Sequence, residues 1–279
     1  MISPSTPQDG PETHLRGVLV LAKQRAGTNF LRSMLAETGG LRDFGEVFQP
    51  RQPDGLSKYH RWLASVPPEQ AEAVTHPAAI DRAEAFLAAL ETEGFPCIDV
   101  KYNSALNAIG TWYSPVELPP VLAAALRRGY LVIHLQRRNR LEHAVSSWIA
   151  GRTGRYVDRG ANAHEGPETY EIPPHAVTRI ARTYDLEAEM VGGWLSRARG
   201  RARPDQIMEL AYEDMAGAAP EALSAIIADI LGRCGITMSG GATANTRKLL
   251  PDWRQTVSNA EILEQHFTED GKLRLAPGA

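Results

Sequence analysis

The sequence predicts an α/β fold, with a central, mainly parallel sheet and helices on both of its faces. Three observations predict it. The runs Val18 to Ala22 and Tyr130 to Leu135 are short, almost continuously apolar and rich in β-favouring residues, as strands covered on both sides are. Segments of helical period follow each run. Phe30, Leu31, Met34 and Leu35 share one helix face after the first, and Leu141, Val145 and Trp148 do so after the second. Finally, 279 residues with 43% hydrophobic and 23% charged side chains can bury one sizeable core.

Composition also excludes. A net charge of −3 gives no polycationic surface for bulk nucleic-acid binding. Cys97 and Cys234 lie far apart, without metal-ligand spacing and without the density of a disulfide scaffold. No apolar run approaches the ~18 residues of a membrane span, and MISPSTPQDGPET at the start is polar and proline-rich rather than a signal peptide. The expectation is a cytoplasmic enzyme with no membrane insertion, no nucleic-acid partner and no metal. Whether it acts alone or as a homodimer is left open.

Taken in order, residues 1–14 are expected to be disordered, and residues 15–279 form one domain with loop insertions at about 51–75 and 151–175. The strand Val18 to Ala22 feeds Lys23-Gln24-Arg25-Ala26-Gly27-Thr28 and then a helix. Such a junction cradles anions, because the first helical N–H groups lack partners and carry the positive end of the dipole. The alternative is an ordinary turn in which Gly27 relieves strain. The loop is not a Walker A motif, since one glycine is present and no lysine follows it. Gly39-Gly40 stops the helix. Glu46 then sits among Phe44, Val47 and Phe48, either as a solvated loop residue or as a carboxylate whose pKa is raised by apolar neighbours.

Residues 51–75 read as a loop and a short helix over the site, anchored by Trp62. Asp81 to Glu91 has a helical stripe of Ala85, Phe86, Ala89 and Leu90. Phe95 to Tyr102 alternates as a strand, Ile98 and Val100 on one face, Asp99 and Lys101 on the other. Lys101 at its carboxyl end stands where open α/β sheets bind ligands, or else snorkels at the surface. Val121 to Arg128 is a short helix. His134, within the next strand, reads as a satisfied core residue.

Between Arg127 and Arg155 seven arginines face one acid, Glu142. They are a solvated face, or a set of planar donors aimed at a second phosphate. Residues 151–175 are a long irregular loop, a substrate lid or disordered. His175 to Arg199 is a helix with a core stripe at Ile180, Tyr184, Ala188, Val191 and Leu195. Gln206 to Tyr212 is the last strand, followed by a helix through Leu231 and a basic loop from Asn245 to Arg254.

Several of these segments resemble, in order along the chain, the sulfotransferases that use 3′-phosphoadenosine-5′-phosphosulfate (PAPS). Arg25-Ala26-Gly27-Thr28-Asn29 is similar to the family's 5′-phosphosulfate loop, with Ala26 in place of the usual serine. Arg138 and Ser146, eight positions apart in RNRLEHAVS, match the 3′-phosphate motif. Tyr212-Glu213-Asp214 is similar to a Tyr-Glu-Asp that follows a late strand. Arg247-Lys248 with Asp252-Trp253 looks like the C-terminal loop that covers the nucleotide, with Leu249 where a glycine is usual. HLQRRNRLEHAVSSWIAGRTG and FGEVF look most like bacterial carbohydrate sulfotransferases.

The resemblance implies a fold with the topology of P-loop kinases, PAPS as co-substrate, no metal, and a small-molecule hydroxyl acceptor on a carbohydrate or glycolipid. Arg25 and the amides of Gly27 to Asn29 would hold the phosphosulfate, and Lys101 would stabilise the bridging or transferring oxygens. Asn103 stands where animal members carry a catalytic histidine. The implied base is therefore Glu46, which matches the glutamate that bacterial carbohydrate members place after the first helix. His60 and His143 are the next candidates. A small-molecule kinase and a nucleotide-binding module without turnover are the competing readings.

Overall fold

The computed structural model describes residues 15–49, 51–52, 55–72, 75–107, 117–154, 169–241 and 253–274. The expected disordered start, most of the expected lid and the basic pair Arg247-Lys248 lie outside those residues. The chain begins with β1 (Gly17–Ala22), α1 (Thr28–Gly39) and β2 (Arg42–Gly45). A small hairpin of β3 (Arg51–Gln52) and β4 (Gly55–Leu56) precedes α2 (Lys58–Leu63) and α3 (Pro68–Ala71). The middle holds α4 (His76–Glu91), β5 (Pro96–Lys101), α5 (Tyr102–Asn107), α6 (Pro120–Arg127), β6 (Tyr130–Gln136), α7 (Arg140–Thr153) and α8 (Pro174–Arg199). The chain closes with β7 (Ile207–Ala211), α9 (Tyr212–Ala216), α10 (Pro220–Arg233), a 3-10 turn at Trp253–Gln255 and α11 (Ala260–Glu264).

The main sheet has five strands in the order β2-β5-β1-β6-β7, and every neighbouring pair is parallel. Strand β1 is central, and each of its residues is buried because the sheet is covered on both faces. Alternation divides the two cores. Leu19 and Leu21, with Ile98, Val100 and Val132, face α4, α6 and α8 through Phe86, Leu122 and Trp194. Val18 and Val20, with Leu131 and Ile133, face α1 and α10 through Leu31, Met34, Ile227 and Ile230. Each fully buried aliphatic side chain contributes about 1.5–3 kcal/mol. A third cluster joins α7 and α8 to the C-terminal elements through Val145, Val177, Trp253, Leu263 and Phe267.

Several boundaries differ from the sequence reading. Helix α4 starts at His76, capped by the Thr75 side chain, and buries Ile80, Ala83, Phe86 and Leu87, whereas Ala85 is exposed. The helix expected after the last strand is two helices, because Gly217 ends α9 and Pro220 opens α10. On α8 the buried stripe runs through Ala181, Tyr184, Val191, Trp194 and Leu195, with Ile180 and Ala188 at its margin. In the segment expected to be anchored by Trp62 alone, Tyr59 is the fully buried side chain, and Trp62 packs partly buried beside it, its ring 5.4 Å from Phe86 and 6.1 Å from Tyr59.

Candidate active site

Because all five strands of the main sheet are parallel, their carboxyl ends share one edge, and every strand contributes to it. The loop after β1 turns at Gly27, whose φ of +92° lies in the left-handed region that glycine adopts without strain. No side chain caps the N-terminus of α1. The N-cap residue Gly27 thus offers the first N–H groups no side-chain acceptor, as an anion cradle requires. Tyr212, which follows β7 and opens α9, closes the loop from one side. It meets Phe30 edge to face at 6.3 Å and carries the Arg137 guanidinium 4.9 Å from its ring centre.

Arg25 has φ +68°, the one positive value at a non-glycine among the described residues. Its Nε donates to Ser146 Oγ at 3.2 Å, which joins the loop to the buried face of α7. The residues assigned to two different phosphate motifs are thus in direct contact. Arg138 is turned elsewhere: its side chain is 60% exposed and pairs with Asp214. The two Glu213 carboxylate oxygens accept from the backbone N–H groups of Arg138 and Asn139, each at 3.0 Å, which pins the turn between β6 and α7.

Lys101 is not a snorkelling surface lysine. It is 3% exposed, and its ammonium donates to Thr28 Oγ1 at 2.8 Å and to Asp99 Oδ2 at 2.8 Å, with Glu46 Oε1 3.5 Å away. The ammonium thus connects the first residue of α1, strand β5 and the segment after β2. Behind it the buried Arg32 lies 3.6 Å from the buried Asp99 and donates to Asn29 and to Asp43, which is exposed.

Glu46 does not have the apolar enclosure the sequence suggested. Val47 and Phe48 turn into the core, and Phe44 lies under the Lys58 ammonium, 4.4 Å from its ring centre. The Glu46 side chain keeps 34% of its surface in solvent, with an ammonium as its charged neighbour. Asn103, in the position of the animal histidine, accepts from the Gln24 amide at 2.9 Å.

The histidines are otherwise occupied. His60 bonds Ser57 in the cap of α2, Nδ1 to Oγ 2.7 Å. His134 bonds the Tyr102 hydroxyl at 2.7 Å, a satisfied core residue whose burial pushes its pKa down to about 4. His143 is fully buried with Nε2 2.8 Å from the Gln24 carbonyl, and burial pushes it down to about 3. The arginine cluster is largely paired, Arg137 with the cluster's own Glu142 and others with acids distant in sequence. Arg128 pairs with Glu91, Arg140 with Asp185 and Arg137 with Glu142, each at 2.6 Å. The sequence reading gave no role to Arg32, Asp43 or Asp99, and took Arg137 only as one of the arginine cluster. The one available signal was the alternation that puts Asp99 and Lys101 on the same strand face.

Among the described residues no three His, Cys, Asp or Glu side chains form a metal-binding group, and no helix is long and apolar enough to cross a membrane. No protein-family model matches the chain, and no curated protein matches it significantly. Among solved structures it is similar to a sulfotransferase domain from the curacin biosynthetic pathway, at 16% identity and TM-score 0.42 over 78% of this chain and 75% of that one. It is also similar to a sulfotransferase domain from the Synechococcus PCC 7002 olefin synthase, at 15% identity and TM-score 0.40 over 84% and 78%. Likenesses at this level leave family and activity to be argued from the site itself.

Proposed function

We propose that this chain is a sulfotransferase that moves a sulfuryl group from PAPS to a hydroxyl of a small molecule, a carbohydrate or glycolipid. The observation that carries the reading is the position of Lys101, a buried cation between the uncapped start of α1 and the Glu46 carboxylate. A helix N-terminus with a buried ammonium suits a multiply charged anion, and a solvent-reached carboxylate beside it suits a neutral acceptor that must lose a proton. Glycine at 27 fits the left-handed turn that brings the first amides of α1 to the loop, and the Arg25 fork fits a phosphosulfate's oxygens.

When bound, PAPS supplies a sulfuryl group already attached to a phosphate leaving group. Arg25 and the amides of Gly27, Thr28 and Asn29 hold the 5′ end, and Arg138 and Ser146 hold the 3′-phosphate. The Arg138 guanidinium exchanges Asp214 for that phosphate. Lys101 stabilises negative charge on the oxygen released as the old S–O bond breaks. Glu46 accepts the acceptor's hydroxyl proton as its oxygen forms the new S–O bond. The protein's work is mainly positioning and electrostatic stabilisation, as in phosphoryl transfer.

Thermal shift with PAP, PAPS, ATP and GTP tests the donor, because a ligand bound only by the folded state raises its melting point. PAP and PAPS are expected to stabilise the protein, and mass spectrometry of sugar acceptors with PAPS is expected to show sulfated product. Stabilisation by ATP with Mg²⁺ and none by PAP would assign the site to a kinase instead. PAP binding without transfer to any hydroxyl acceptor would leave a nucleotide-binding module.

A further inference from the structure

Arg25 is held in a left-handed conformation that L-residues rarely adopt, so its surroundings must impose it. The two peptide groups that flank its α-carbon are each gripped through the carbonyl. His143 lies 2.8 Å from the Gln24 oxygen, and Arg137 Nη1 donates to the Arg25 oxygen at 3.4 Å. A carbonyl only accepts, so His143 Nε2 must carry the proton and donate it. His143 Nδ1 is then a bare nitrogen, and it is buried without a hydrogen-bond partner. That arrangement suits an imidazole kept neutral, with its one donor committed to the loop, and not a general base.

Both grips come from the same neighbour of the loop. Arg137 follows β6, is 6% exposed, and is itself held by Glu142 and by its stacking over Tyr212. His143 lies three residues before Ser146, so the two share one face of α7. That face holds the loop at the Gln24 carbonyl and again at the Arg25 guanidinium. We infer that His143 and Arg137 are positioning residues: by fixing the carbonyls on both sides of Arg25, they hold its backbone left-handed and direct its guanidinium to Ser146 and the bound anion. The identity of that anion rests on the PAPS reading; the grip on the loop does not.

The experiment begins with the unaltered full chain, labelled with ¹⁵N-histidine and observed by NMR at neutral pH. One ring is expected to be neutral, protonated at Nε2 and slow to exchange, and to lose that signature in His143→Gln. A His143 ring protonated at Nδ1, or one charged at neutral pH, would overturn the inference even if no variant folds. In His143→Leu, amide exchange at residues 24–28 should quicken about tenfold and PAP should bind about tenfold more weakly, the loss of one net hydrogen bond. His143→Gln, whose amide can donate from nearly the same place, should restore both. Exchange and PAP affinity unchanged in His143→Leu would sink the inference. If the unaltered chain fails to bind PAP, the functional reading falls while the tautomer and exchange results still decide the positioning role.

Discussion

Tyr212 occupies the space that a side chain at residue 27 would need: a first carbon built on Gly27 falls 2.3 Å from the ring carbon Cδ2 of Tyr212. The first residue of α9, directly after the last strand of the main sheet, thereby determines the residue type in a loop that leaves the central strand. Gly27→Ala meets two penalties, the left-handed φ and the ring. Backbone strain alone costs about 1–3 kcal/mol. The melting point of Gly27→Ala should drop by several degrees and PAP affinity by about tenfold or more. Tyr212→Ala in the same chain should recover part of the stability but not all of it, since the strain remains. Calorimetry showing wild-type melting and PAP affinity for Gly27→Ala would mean that this loop does not approach the ligand.

Glu46→Gln keeps shape and hydrogen bonding while removing the base. Turnover at saturating acceptor should fall roughly 10²–10⁴-fold, with PAP binding near wild type. Near-normal turnover would transfer the proton to another group.

Lys101 combines a structural and a chemical role, and two variants separate them. Lys101→Met leaves Asp99 buried with only Arg32, 3.6 Å away, as its remaining cation. Breaking a buried pair from one side costs about 3–5 kcal/mol, and the Arg32 contact should keep the loss at the lower end. Adding Asp99→Asn should return part of that stability in denaturant titrations while sulfuryl transfer stays lost. Transfer that recovers together with stability would make Lys101 a structural residue only.

Arg138 and Ser146 make distinct predictions for nucleotide binding. Losing a charge-assisted hydrogen bond costs about 1.5–3 kcal/mol. Arg138→Ala should therefore weaken PAP but not adenosine 5′-phosphosulfate, which lacks the 3′-phosphate. Ser146→Ala should weaken both, because Ser146 also holds Arg25. Equal affinities of Arg138→Ala and wild type for PAP, measured by calorimetry, would remove Arg138 from the site.

Acid should destabilise the protein through two buried histidines. His143 and His134 are pushed down to about 3 and about 4, in both cases first by burial. Their unfolded-state pKa is about 6.5. Below that value the unfolded chain takes up protons that the native one refuses, so stability falls as pH drops from about 6.5 towards the folded values. At pH ~5 each histidine should cost about 2 kcal/mol. Denaturant titrations across that range check it, and His143→Gln should lose about half of the dependence.

The sequence by itself determined the layered α/β architecture, because strand and helix periods are local and a run such as Val18 to Ala22 has no polar face to expose. It also determined that a strand, a glycine turn and a helix start are contiguous in the chain, the local arrangement on which the proposed anion cradle rests. Strand β2, reading RDFG, was not legible: it is short, polar and half exposed, and it is a strand only because β5 offers it an edge. Tertiary structure alone decided which charges meet. Lys101 and Asp99 share a face by alternation, but their approach to Glu46 depends on β2 pairing with β5, and to Thr28 on β1 lying at the other side of β5. The arginines that looked unopposed between residues 127 and 155 find Glu91, Asp185 and Asp214 through folding. Ionic partners and hydrogen-bond acceptors are chosen by distance in space, which no local period encodes. That is why a histidine readable as a spare base proves to be a buried donor holding the loop it faces.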